Sequence, residues 1–152
     1  RAYEGEYKDL SGPLAEELIG KWFGETKRSL SCDYKLLPDN PQMLEAEIRR
    51  MVSEGHEIII TTGGTGIGPR DFTPDVVKPL LDKEIPGIMD YIRLKYGAEK
   101  PNALLSRSIA GVSGKSIIFV LPGSVKAVNE YLSEILPMLN HLFAMMSGID
   151  SH

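Results

Sequence analysis

The sequence predicts an α/β protein of three layers, a mostly parallel sheet with helices on both faces. Three observations carry this. Apolar segments of strand length alternate with segments of helical period, an order that favours parallel strands joined by helices. The segments Glu57 to Thr62 and Ser116 to Leu121 are apolar at successive positions, as strands covered on both sides must be. The 152 residues contain no repeat, low-complexity tract or linker, so residues 1–152 are expected to form one domain. At that size folding removes roughly two-thirds of the unfolded surface from water.

Each element has its own signal. Ser11 is placed to cap a first helix with Pro13 in its opening turn, and Leu14, Leu18, Trp22 and Phe23 recur at helical spacing until Gly24. A short strand from Tyr34 to Leu37 stops at Pro38. A second helix carries Leu44, Ile48, Met51 and Val52 on one face and ends at Gly55. After the Glu57 to Thr62 strand, Thr73 is placed to cap a third helix with Pro74 at its first position. A fourth runs from Gly87 to Tyr96, ahead of Gly97 and Pro101. Residues 104–121 read as two strands joined by a turn at Ser113 and Gly114. A last helix, Ser124 to Met146, presents Val128, Leu132, Ile135, Leu139 and Leu142 on one side.

Composition narrows the function. Hydrophobic residues make up 42% and charged residues 25%, ordinary values for a soluble protein, and no apolar run approaches the roughly 20 residues of a membrane span. A net charge of -4 argues against nucleic acid as the main partner. The lone Cys32 cannot form an internal disulfide, and no leader pattern is visible, so the cytoplasm is the expected location. Cys32 also lacks a basic neighbour to activate it.

In open α/β sheets ligands sit outside the carboxyl ends of strands. Three such ends carry unusual residues: Pro38-Asp39, Thr61 to Asp71, and Pro122-Gly123-Ser124. The glycines Gly63, Gly64, Gly66 and Gly68 are expected to reach positive φ and aim N–H groups at a phosphate or carboxylate, beside the N-terminus of the following helix. The competing reading is a tight strand-to-helix turn without a ligand. The spacing fits neither standard nucleotide fingerprint, because Pro69 stands where a Rossmann glycine belongs and no Lys-Ser/Thr pair follows. Gly111 to Ser116 ends like a phosphate loop, but Ile109 replaces its first glycine and a strand follows it.

Asp39 and Asp71 both flank the expected crevice, and two carboxylates beside a phosphate suit Mg²⁺. Alternatively, Asp39 caps the second helix and Asp71 pairs with Arg70. The histidines at 56, 141 and 152 are scattered and do not suggest a metal site.

Six segments together resemble the MogA/MoaB-like molybdenum cofactor biosynthesis family, which includes molybdopterin adenylyltransferases and the gephyrin N-terminal domain. They are SGP at 11–13, LPD at 37–39, TTGGTGIGPRDFTPD at 61–75, IPG at 85–87, LLSRSIAG at 104–111 and LPGS at 121–124. The resemblance implies a molybdopterin-binding α/β fold, a homotrimer, and activation of molybdopterin by MgATP. In that reaction the terminal phosphate of molybdopterin attacks the α-phosphate of ATP, giving adenylylated molybdopterin and pyrophosphate. It also implies a downstream molybdenum-insertion enzyme as a partner.

By motif, the resemblance makes Asp39 and Asp71 the catalytic, Mg²⁺-serving pair. It assigns nucleotide phosphate to Gly63, Gly64, Thr65 and Gly66, and molybdopterin to Ser106, Arg107, Ser108, Gly123 and Ser124. Two departures stand out. The family usually has an apolar strand ending in Ser-Asp ahead of the position of Arg1, read here as a first strand missing from the chain, and Val125 replaces a common proline. A carrier or trimeric scaffold that binds molybdopterin without turnover is the alternative. A nucleotide pyrophosphatase with a similar glycine loop is a third reading, disfavoured by SRS and LPGS.

Overall fold

The structure is a computed structural model and describes Gly5 and residues 8–148. His152 lies outside the described residues. In chain order the elements are α1 (Ser11–Glu25), α2 (Pro41–Ser53), β1 (Ile58–Thr62), α3 (Thr73–Val77), β2 (Lys83–Glu84), α4 (Pro86–Gly97), β3 (Ala110–Ser113), β4 (Ser116–Leu121), α5 (Val125–Ile135) and α6 (Leu139–Met146).

Four strands form one sheet in the order β1-β4-β3-β2. β1 pairs with β4 in parallel, Ile60 opposite Phe119, whereas β3 is antiparallel to both β4 and β2. The sheet of the described residues is therefore mixed rather than mostly parallel. The cause is local: Ser113 faces Ser116 across a two-residue turn, Gly114 adopts φ 57°, and so short a connection can join only antiparallel strands. This hairpin also accounts for the false phosphate-loop ending, since the Gly114 N–H donates to Asp82 at 2.7 Å and closes a turn.

The alternation of β4 builds the three layers. Ile117, Phe119 and Leu121 face Met89 and Ile92 of α4, Val128, Leu132 and Ile135 of α5, and Ala15 of α1. Ile118 and Val120 face the other way, onto Ile59 of β1, Ile48 of α2 and Val77 of α3. A strand read on both faces must be apolar throughout, and all six residues of β4 are buried. Each such large side chain contributes roughly 1.5–3 kcal/mol relative to exposure.

Several expected boundaries shift for identifiable reasons. Tyr34 to Leu37 joins no ladder; side chains tether it instead, through Tyr34 to the Asp9 carboxylate and through the adjoining Asp33 to Arg50 and His56. Ser11 does not cap α1. Asp9 Oδ1 accepts the N–H groups of Ser11 and Gly12, which frees the Ser11 hydroxyl to donate to the Gly123 carbonyl. Thr73 is likewise the first residue of α3 and not its cap. The last helix is two, because Pro137 sits in a 3₁₀ turn at Leu136–Met138, where its missing N–H and its ring stop an α-helix.

Candidate functional site

Three chain segments meet where β1 and β4 end. The Gly63 N–H donates to the Leu121 carbonyl at 2.9 Å. A Cβ on Gly123 would lie 3.1 Å from Gly63 Cα, tighter than an ordinary contact, so a side chain there would push the two backbones apart. The Ser11 hydroxyl, held at the start of α1, closes the junction from above through the Gly123 carbonyl. The SGP, TTGG and LPGS segments are thus one packed unit.

Beyond this junction the chain bends through residues 63–71. Gly63 and Gly64 have φ 97° and 67°, but Gly66 and Gly68 do not have positive φ, contrary to expectation. Their glycine identity has a different cause: a Cβ there would lie 2.7 and 3.0 Å from Asp71 Oδ2. Both make room for the Asp71 carboxylate, which folds back into the bend and accepts the Gly68 N–H at 2.9 Å. Gly64 is doubly constrained, since a Cβ would also fall 2.3 Å from Thr73 Oγ1 while the Gly64 carbonyl accepts the Thr73 N–H. Among the described residues, no hydrogen bond engages the N–H groups of Gly64, Thr65, Gly66 or Ile67. Four successive amides are unspent.

A cavity of about 800 Å³ opens between β1 and the 30–39 segment. Asp39, Asp71, Gly63, Gly64, Arg70 and Gly123 all line it. Asp39 and Asp71 are thus both members of the lining of one cavity. Asn40, not Asp39, caps α2, accepting the Met43 N–H at 3.0 Å. Asp39 Oδ2 instead lies 3.6 Å from Arg70, which is the residue the sequence offered as a partner for Asp71.

Thr65, Gly66, Ser106, Arg107, Ser108 and Ser124 do not border this cavity. The SRS segment stitches itself to the bend from outside the cavity: Arg107 N–H donates to the Thr65 carbonyl at 2.8 Å and the Ser106 hydroxyl to Thr65 Oγ1 at 3.3 Å. Ser108 is fully buried, 3.0 Å from Ser106 Oγ. Ser124 caps α5, its hydroxyl accepting the Ala127 N–H. Arg107 turns onto the loop rather than toward the cavity. Its Nε reaches the Gly66 carbonyl at 2.8 Å, Nη2 the Asp71 carbonyl at 2.5 Å, and Nη1 both oxygens of Asp75 at 2.9 and 3.0 Å.

Sequence reasoning passed over Asp75 and Arg93. Arg93 of α4 donates to the Ser108 carbonyl at 2.7 Å and pairs with Asp90, supporting the SRS segment from behind. It also passed over Asp33 and Glu54, which stand with His56, a histidine it had set aside as scattered; the ligating atoms of the three lie within 4.8 Å of one another. The Arg50 guanidinium already sits there, bonded to Asp33, Glu47 and Glu54, and holds the Asp33 and Glu47 carboxyls below their ordinary range. Cys32 is exposed; partial burial, then the neighbouring Glu16, raises its thiol pKa, the reverse of an activated nucleophile. No helix among the described residues is long and apolar enough to cross a membrane.

Comparison with known proteins agrees with the motif pattern. Over 135 residues the chain is 39% identical to the molybdenum cofactor synthesis protein cinnamon of Drosophila melanogaster, covering 88% of this chain but 22% of that protein. It thus spans about a fifth of that relative's length. It is 32% identical over 149 residues to a molybdopterin adenylyltransferase of Helicobacter pylori, covering 97% of this chain and 83% of the relative. The crystal structure of the molybdopterin biosynthesis enzyme MoaB from Thermus thermophilus superposes with a TM-score of 0.83 at 38% identity, covering 97% of this chain and 90% of that one. Residues 1–141 match the family described as "Probable molybdopterin binding domain". With its junction of glycine backbones, its bend of unspent amides and its paired motifs, the chain belongs to this molybdenum cofactor biosynthesis family.

Proposed function

We propose that this chain is a molybdopterin adenylyltransferase that transfers AMP from MgATP to the terminal phosphate of molybdopterin. One observation carries the reading: four successive unspent amides lie in a bend whose acidic member, Asp71, shares a cavity with Asp39. Amides in that number suit phosphate oxygens. A phosphate oxygen of molybdopterin would attack the α-phosphorus, the bridging P–O bond to the β-phosphate would break, and pyrophosphate would leave. Such a transfer needs placement of two anions and neutralisation of charge more than covalent help.

The donor set fits Mg²⁺, a hard cation that takes one or two carboxylates and keeps its remaining positions for water and phosphate. Asp39 and Asp71 would hold it; Asp71 Oδ2 accepts the Gly68 N–H, which leaves Oδ1 available. Bound there, the ion would offset repulsion between the carboxylates and the triphosphate. In this reading Gly63, Gly64, Thr65 and Gly66 hold nucleotide phosphate, and Gly123 lies on the molybdopterin side with Ser106 and Ser124. A cytoplasmic homotrimer is part of the proposal; the trimer rests on the family resemblance, and sedimentation tests it.

A carrier without turnover is favoured by one feature, the bond from Asp71 to the Gly68 N–H, which is a structural use of that carboxylate. Purified protein supplied with molybdopterin, ATP and Mg²⁺ separates the two. Release of pyrophosphate with adenylylated pterin supports the enzyme. Tight pterin binding with no product supports the carrier.

A further inference from the structure

Arg107 belongs to a motif that the resemblance assigns to molybdopterin, yet its guanidinium is used elsewhere. Four hydrogen bonds of 2.5 to 3.0 Å tie it to the Gly66 carbonyl, the Asp71 carbonyl and the Asp75 carboxylate. These partners are at the middle of the bend, at its end, and in the first turn of α3. The guanidinium is rigid and planar with donors in a fixed fork, so it fixes the relative positions of all three in a way a flexible ammonium cannot.

The bonds also orient the amides. In a planar trans peptide the C=O and the following N–H point in opposite directions. When Arg107 draws the Gly66 and Asp71 carbonyls toward itself, the N–H groups of Ile67 and Phe72 turn away from the guanidinium. The same grip fixes the backbone that carries the Asp71 carboxylate. Asp75 receives both Nη1 contacts, so it sets the rotation of the fork, and the side chain of Arg107 is only 37% exposed. Arg93, through the Ser108 carbonyl, keeps the SRS backbone from retreating.

We propose that Arg107 and Asp75 are a positioning pair: they hold the 63–71 bend in its binding shape from outside the cavity and touch no substrate. The proposal explains why an arginine follows Ser106 while facing away from the cavity, and it gives Asp75 a role beyond that of an acidic residue in a helix's first turn. Its kinetic consequence rests on the adenylyltransferase reading, whereas its structural consequence does not.

The test uses R107K, which keeps charge but loses the fork, and D75N, which keeps an acceptor but loses charge, each in the full chain. Without any ligand, amide hydrogen exchange is followed at Gly68, Asp71 and Thr73, whose N–H groups close the bend, and at Ile59 and Ile118 in the sheet. Both variants are expected to exchange at least about tenfold faster at the three bend amides with the sheet amides unchanged, and R107K/D75N to be no faster than R107K alone. Unchanged bend amides overturn the proposal, and so does an additive double variant. Global acceleration is resolved by repeating the measurement at lower temperature, where a positioning role still requires selective acceleration at the bend. In the pyrophosphate assay the KM for ATP should rise with the KM for molybdopterin little changed. A rise confined to molybdopterin makes Arg107 a substrate contact instead. Selective acceleration at the bend in the variants, alongside a wild-type protein that releases no pyrophosphate, would leave the pair standing and remove adenylyl transfer.

Discussion

Asp71 has two duties that pull in different chemical directions. Its Oδ2 accepts the Gly68 N–H and so shapes the bend, while the residue also lines the cavity that Asp39 lines. Asparagine separates these duties, because its amide oxygen can still accept from Gly68 but it carries no charge. D71N is therefore expected to keep its thermal midpoint and lose at least about tenfold in turnover, roughly 1.4 kcal/mol of barrier. Equal turnover would remove Asp71 from the reacting groups and leave only its role in the bend. At this scale the sequence was informative where a residue's role is local: Gly64, Asp71 and the glycine bend all lie within one short segment. Asp75 and Arg93 were not legible, because each acts on a partner 15 or more positions distant that only the tertiary fold supplies.

Helix α5 begins where one of the candidate site segments ends, and Ser124 belongs to both. Its hydroxyl accepts the Ala127 N–H at 3.1 Å, satisfying one of the donors that an α-helix leaves unpaired at its start. S124A should cost about 1 kcal/mol, which for a protein of this size lowers the melting midpoint by roughly 2–4 °C, and S124D should restore it. A midpoint unmoved by S124A would mean that the serine serves only a ligand. Elements with several turns of apolar period were readable in advance: α2 and α4 fall within a few residues of their expected bounds. The two-residue β2 has no period to read. Pro137 was visible, yet the apolar stripe of the last helix continues across it from Ile135 to Leu139, and that continuity concealed the break. Tyr34 to Leu37 has strand composition, but a ladder needs a strand's backbone beside it, and this segment is held by side chains, with Tyr34 against Asp9 at the start of α1.

Over the whole molecule, acid sensitivity should follow from carboxylates paired in the folded state. Lys95 holds the Glu134 carboxyl below its ordinary range across the α4–α5 contact, with the Tyr96 hydroxyl donating to the same oxygen at 3.0 Å. Arg50 does the same for Asp33 and Glu47. A carboxyl with a lowered folded pKa contributes stability above its unfolded value, near 4, and loses it as pH falls through the folded value. Lys95, shifted upward mainly by Glu134, contributes below its unfolded value, so the pair is intact throughout the neutral range. E134Q is expected to lower stability at pH 7 only modestly, because the Lys95 side chain is 46% exposed and the pair is screened, and to converge with the wild type as pH falls through the lowered folded value of Glu134. Urea titrations at pH 7 and pH 3 check it: a gap that persists undiminished at pH 3 would mean the loss comes from packing.

The fold class was legible because two apolar-throughout strands require cover on both sides, and the β1–β4 pair is parallel as that reading requires; the β3–β4 turn was legible too, and its antiparallel pairing, continued by the two-residue β2, is what makes the sheet mixed. The contact of Gly63 with Gly123 has a consequence of its own. Two loops distant in sequence meet backbone to backbone, so a side chain on Gly123 would press on Gly63, and one on Gly63 would be strained by its φ of 97°. A chain diversifying its substrate range would have to vary the opposite wall, the solvent-exposed stretch around Tyr34 to Leu37, and leave the glycine seam untouched.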